Sequence, residues 1–111
     1  MTAFLIIYLI VIRYSMTNNT RDAYQSLVQH LTELTDSQEI EAVLAALLTD
    51  KELQDIANRV RIFDLLQQGV TQRAISQQLG VGIATVSRGA KALQRHEDDA
   101  INKLLQVHRR Q

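Results

Sequence analysis

Residues 71–93 read TQRAISQQLGVGIATVSRGAKAL, and the reading of this stretch decides the fold. The spacing predicts two short helices joined at Gly80. Thr71 suits an N-cap, where its hydroxyl accepts a hydrogen bond from an amide two or three residues on. Ile75 and Leu79, four apart, give the first helix a single buried face. Gly80 follows at the point where the chain must turn sharply between helices that cross at a large angle. Val81 and Val86 then close that angle from the second helix. Apolar residues and a glycine at these intervals form the pattern of a helix-turn-helix.

The remaining positions of the stretch suit contact with DNA. The second helix begins near Gly82, and its first turn offers Ile83, Ala84 and Thr85, small or apolar groups able to approach base edges and the thymine methyl. Gln72, Arg73, Thr85, Ser87 and Lys91 are positioned to contact phosphates. No acid occurs between Asp64 and Glu97, whereas Arg73, Arg88, Lys91 and Arg95 are all basic. Net charge over the chain is zero, yet residues 1–48 hold two basic and five acidic side chains and residues 49–111 hold ten and seven. A neutral protein with a one-signed basic stretch can still hold a polyanion there. Three competing readings are weaker. An ordinary helical bundle also contains helix pairs with glycine turns. A phosphate cradle at Gly80-x-Gly82 lacks the third glycine and preceding strand of a dinucleotide site. Thr85 or Ser87 as a nucleophile lacks a G-x-S-x-G elbow and an evident base.

Working outward, the apolar spacing remains helical. Tyr24, Leu27, Val28, Leu31 and Leu34 share one face, and Ile40, Val43, Leu44, Leu47 and Leu48 share another after a break at Thr35-Asp36-Ser37, where Asp36 or Ser37 can cap. Thr49 and Glu52 form a capping box for a third helix with a stripe of Leu53, Ile56, Val60, Phe63 and Leu66. Gly69 suits that helix's end. A last helix, about 97–108, begins with Glu97, Asp98 and Asp99 and ends beside Arg109 and Arg110, as its dipole favours. With 111 residues, no proline, four glycines and five aromatic residues, the composition fits a single all-helical domain, 16–111, marginal in size by itself. There is no cysteine, and His30, His96 and His108 show no ligand spacing, so no metal site is expected.

Residues 3–12, AFLIIYLIVI, form an apolar run too short to span a bilayer, which takes about 20 residues. The run lacks the flanks of a signal peptide. Residues 1–15 are therefore expected to be an extension outside the domain, with Met16 as the true start. A weak membrane anchor and a genuine first core helix are the alternatives, in that order.

The segment Leu48-Thr49, Glu52, Arg59-Val60-Arg61-Ile62, Leu65-Leu66, Gln72-Arg73 and Leu79-Gly80-x-Gly82-Ile83-Ala84-Thr85-x-x-Arg88-Gly89-x-x-x-Leu93 closely resembles the bacterial trp operon repressor family. The match is specific over about 48–93, weak over 20–47 and 94–111, and absent over 1–15. The resemblance implies a six-helix subunit intertwined with a second copy in a homodimer. It also implies L-tryptophan as corepressor, bound between the third helix and the recognition helix, with no other cofactor. On matching positions, Arg59 and Arg88 flank the indole, and Arg88 pairs with the ligand carboxylate. Carbonyls near Leu48 and Thr49 take its ammonium group, and Gly89 leaves room for the ring. Some positions depart from the family pattern. Ala46 replaces a leucine, Ala92 a serine, Ser76 a lysine, and Ala90 and Lys91 a serine and an asparagine. One residue is missing between Arg59 and Gln72.

The function so implied is a cytoplasmic, ligand-activated transcriptional repressor that binds operator DNA, with no membrane partner and no enzymatic activity. The bound ligand would wedge the reading heads outward into successive major grooves. A helix-turn-helix regulator answering another ligand or none, a helical protein–protein module and an enzyme are the alternatives, in falling order.

Overall fold

The computed structural model describes residues 3–96 and 99–111, and every regular element among them is α-helical. The helices are α1 (Ala3–Ser15), α2 (Asn18–Glu33), α3 (Ser37–Leu47), α4 (Asp50–Gln67), α5 (Gln72–Leu79), α6 (Ile83–His96) and α7 (Asp99–Arg109). Seven helices rather than the expected six follow because the apolar run near the N-terminus is itself helical. The six expected helices are α2–α7. Glu97 and Asp98, expected to open the last helix, lie outside the described residues.

The chain divides into two compact units, residues 1–50 and 51–111. In the first, Thr17 caps α2 by accepting from the Thr20 amide at 3.2 Å, and Asp36 caps α3 by accepting from the Gln38 amide at 2.9 Å. These caps stop and restart the helices where the apolar periodicity breaks. None of the described side chains in this unit is buried, although its helices carry regular apolar stripes. On α1, Ile6, Ile7, Ile10, Val11 and Tyr14 all stand exposed. No helix among the described residues is long and apolar enough to cross a membrane.

The second unit holds the core. Ile62 of α4, Ile75 of α5 and Val86 of α6 are essentially sealed from solvent and pack together, with Leu65, Leu66, Val70, Leu79 and Val81 around them. A second cluster joins Phe63 of α4, Leu93 of α6 and Leu105 of α7, flanked by Val60, Leu66, Ala92 and Ile101. Helix α4 thus meets two sets of partners, and its buried arc is Ile62-Phe63-Asp64 rather than the single stripe expected from spacing. Ile56, assigned to that stripe, is 51% exposed.

Among the described residues of this unit, the carboxylate of Asp64 is buried. Asp64 accepts from Arg109 Nε at 2.6 Å and from Gln68 Nε2 at 2.9 Å, and His108 Nε2 lies 3.7 Å away. Arg109 also donates to Gln67 Oε1 at 3.1 Å. Burial by itself would raise the Asp64 pKa, but the hydrogen bonds from Arg109 and Gln68 and the charges of Arg109 and His108 outweigh it. The carboxyl is held below its ordinary value.

Candidate nucleic-acid interface and the cleft behind it

Local sequence builds the helix-turn-helix. Thr71 caps α5 by accepting from the Ala74 amide at 3.2 Å. Gly80 adopts the left-handed conformation, φ 68° and ψ 31°, and its amide donates to the Ser76 carbonyl at 3.0 Å. A residue with a Cβ would pay for this conformation with steric strain. Ser76 contributes a second tie, its hydroxyl donating to the Val81 carbonyl at 2.5 Å. The position that departs from the family's lysine therefore clamps the turn. Helix α6 then starts at Ile83, with the Thr85 and Val86 amides donating to the Gly82 carbonyl at 3.0 and 3.3 Å.

Of the residues expected to meet DNA, Gln72, Arg73, Gly82, Ile83, Ala84 and Lys91 are exposed, and Thr85 and Ser87 are half-buried. Ile83 is 52% exposed although it is a large apolar residue at a helix start. The Ser87 hydroxyl donates to Gln72 Oε1 at 2.8 Å, tying α6 to the first turn of α5. Thr85 accepts from Arg88 Nη2 at 3.3 Å. Arg73 and Lys91 form no ion pair among the described residues, so their charge remains available to a polyanion.

Behind α6 lies a cleft of about 330 Å³ lined by Lys51, Asp55, Ile56, Arg59, Ile62, Thr85 and Arg88. Its size is at the lower end of small-molecule sites, about 300–1,000 Å³. Arg59 comes from α4 and Arg88 from α6, so the two arginines singled out from the sequence share one cavity. Lys51 pairs with Asp55 at 3.0 Å, and three cations face one anion. Two isoleucines and two arginines line the same cavity, and arginine both stacks on aromatic faces and pairs bidentately with carboxylates.

Gly89 is buried, and a Cβ built on it would fall 2.8 Å from Ile62 Cγ2. Its small size lets α6 lie directly against α4, with Ile62 of the cleft floor occupying the space beside it. Ala92 packs with the Phe63–Leu93–Leu105 cluster. Leu48 is the C-cap of α3, its amide donating to the Leu44 carbonyl at 2.9 Å, and Thr49 immediately precedes α4. Sequence reasoning did not find Lys51, Asp55 or Thr85 as cleft residues. The i, i+4, i+8 spacing of Lys51, Asp55 and Arg59 along α4 was the available signal.

The family model described as Trp repressor protein matches residues 22–108. The chain is 39% identical over 82 residues to a Trp operon repressor homolog of Vibrio campbellii, covering 73% of this chain and 82% of that protein. A Vibrio cholerae homolog of the same description is 35% identical over 85 residues, covering 76% and 82%. One from Xylella fastidiosa is 33% identical over 73 residues, covering 65% and 79%. No solved structure gives a significant match. The family match spans both the helix-turn-helix and the cleft behind it, and the chain belongs to the Trp repressor family, whose members are DNA-binding regulators and not enzymes.

Proposed function

We propose that this chain is a cytoplasmic homodimeric repressor that binds operator DNA through α5 and α6 and takes L-tryptophan as corepressor in the Arg59–Arg88 cleft. One observation carries the reading: two arginines from different helices line one small cavity directly behind the helix that would enter the major groove. The indole stacks between the guanidinium planes and the carboxylate pairs with Arg88. Ligand in that position braces α6 against α4. Because a ligand acts only by its differential affinity for two arrangements, tryptophan must bind better to the pose that reads DNA. A second copy supplies the other reading helix, at the half-site spacing of about 34–36 Å usual for helix-turn-helix dimers. The apolar stripes of α2 and α3, none of whose residues is fully buried within the chain, support such a partner, since a chain this small gains much from burying them.

Calorimetry with L-tryptophan, paired with gel shifts on a duplex selected by the protein from a randomised pool, tests the reading. The expected result is saturable heat and tighter DNA binding with ligand. Arg88→Ala should weaken ligand binding about tenfold to 100-fold, the range for a lost charge-assisted hydrogen bond. Absence of heat at millimolar tryptophan rejects the corepressor. DNA affinity that ignores salt rejects the DNA-binding role.

A further inference from the structure

Gly89 of α6 lies against Ile62 of α4, so near that a Cβ there would fall 2.8 Å from Ile62 Cγ2. Arg59 and Asp64 are five residues apart on α4, hence separated by about 140° around the helix. Arg88 and Leu93 are separated by the same angle on α6. The α4–α6 pair therefore presents two sides. On one side is the cleft with Arg59 and Arg88. On the other is α7, whose Leu105 and Ile101 pack against Phe63 of α4 and Leu93 of α6 together.

The α7 side is fastened by charge. Arg109 of α7 holds Asp64 of α4 through the 2.6 Å bond, with His108 beside the other carboxylate oxygen, and Gln67 of α4 donates to Asn102 of α7 at 3.0 Å. From α6, α7 receives apolar contacts around Leu93. At the crossing itself, Ile62 of α4 packs against Val86 and lies beside Gly89 of α6.

We infer that α7, latched to α4 through Asp64 and Arg109, fixes the pose of the reading helix α6 against α4, and that Asp64 is a positioning residue for DNA recognition. The inference rests on the proposed DNA-reading role of α5 and α6. Asp64 touches neither the cleft nor the exposed face of α6, and it acts through Arg109 and the Phe63–Leu93–Leu105 cluster. With the latch intact, α6 is held before any ligand or DNA arrives. With it broken, α6 rocks about the Gly89 contact, and only part of the population has the competent pose.

Asp64→Asn separates this from simple electrostatics, because the two predict opposite signs. Removing a negative charge from a protein that binds a polyanion should tighten binding. Loss of the latch should weaken it, by about threefold to fivefold, the scale of a partly exposed ion pair. The salt slope should stay unchanged, since no phosphate contact is lost. In the free full-length protein, NMR relaxation dispersion should show new microsecond–millisecond exchange along residues 83–93. Arg109→Lys keeps a charge opposite Asp64 and should recover part of the affinity that Arg109→Gln loses. Equal or tighter DNA binding by Asp64→Asn overturns the inference, as does α6 relaxation identical to wild type. If the wild-type protein binds no duplex, the DNA-reading role fails, and the relaxation result alone decides whether α7 sets the α6 pose.

Discussion

Substituting alanine at Gly89 sets two well-calibrated effects against each other. In a helix interior, glycine to alanine ordinarily stabilises by about 1 kcal/mol, because alanine loses less backbone entropy. At this position the new methyl lies 2.8 Å from Ile62 Cγ2, inside any normal carbon–carbon contact. The clashing atom cannot swing away cheaply. It branches directly from the Ile62 Cβ, and Ile62 is 1% exposed and packed against Ile75 and Val86. Forcing a methyl into such a site costs about 1–3 kcal/mol. The balance is a net destabilisation of about 0–2 kcal/mol, seen as a fall in Tm of several degrees for a domain of this size, at about 4–8 °C per kcal/mol. Ile62→Leu moves the branch one carbon outward and costs less than about 1.5 kcal/mol alone. The double variant should then recover stability that the single changes do not predict by addition. Thermal melts of the four proteins at one fixed concentration provide the cycle. An alanine at position 89 that raises Tm, with no coupling to position 62, refutes the close approach of α6 to α4.

Other expectations follow from single contacts. The lowered pKa of Asp64 means that its stabilising contribution is complete above the unfolded value of about 3.9 and is lost as pH falls through the lower folded value. Urea melts between pH 2 and pH 5 should show a shallower loss of stability in Asp64→Asn than in wild type. Thr71→Ala removes the α5 cap and should cost about 1 kcal/mol, read as a lower urea midpoint, whereas Thr71→Ser should retain most of it. Ile75→Ala opens a cavity in a fully sealed site and should cost about 2–5 kcal/mol, enough to unfold much of the population at 37 °C. Arg73→Ala should weaken DNA binding across sequences and lower the salt slope by about 1, while Ala84 substitutions should alter preference among sequences.

The helix-turn-helix was legible because each of its signals is local. Thr71 caps within its own turn, Gly80 takes its left-handed conformation whatever surrounds it, and Ile75 and Val86 fall on the only apolar faces their short helices possess. The arginine pair was legible only through resemblance, since nothing in the spacing of Arg59 and Arg88 indicates that they share a cleft. Other features required the three-dimensional arrangement. Helical periodicity names one buried face, but α4 serves α5 and α6 on one flank and α7 on another, so Ile62 and Asp64 are buried where a single stripe leaves them out. Arg109 was read as a favourable charge at a helix end. Its partner lies 45 residues away, a distance over which sequence spacing carries no geometric information. Ser76 was read as the replacement of a family lysine and Ser87 as a phosphate contact, and both also bond within the motif.

The bond between Ser87 and Gln72 has a consequence for what a phosphate meets. A glutamine amide is ambivalent, with an oxygen that accepts and an NH₂ that donates, and near a polyanion half of its rotations are wrong. Here the serine proton occupies the oxygen, leaving the nitrogen as the end with hydrogens to give. The choice between attraction and repulsion is thus made inside the protein, before a nucleic acid approaches, by a half-buried hydroxyl that orients an exposed amide.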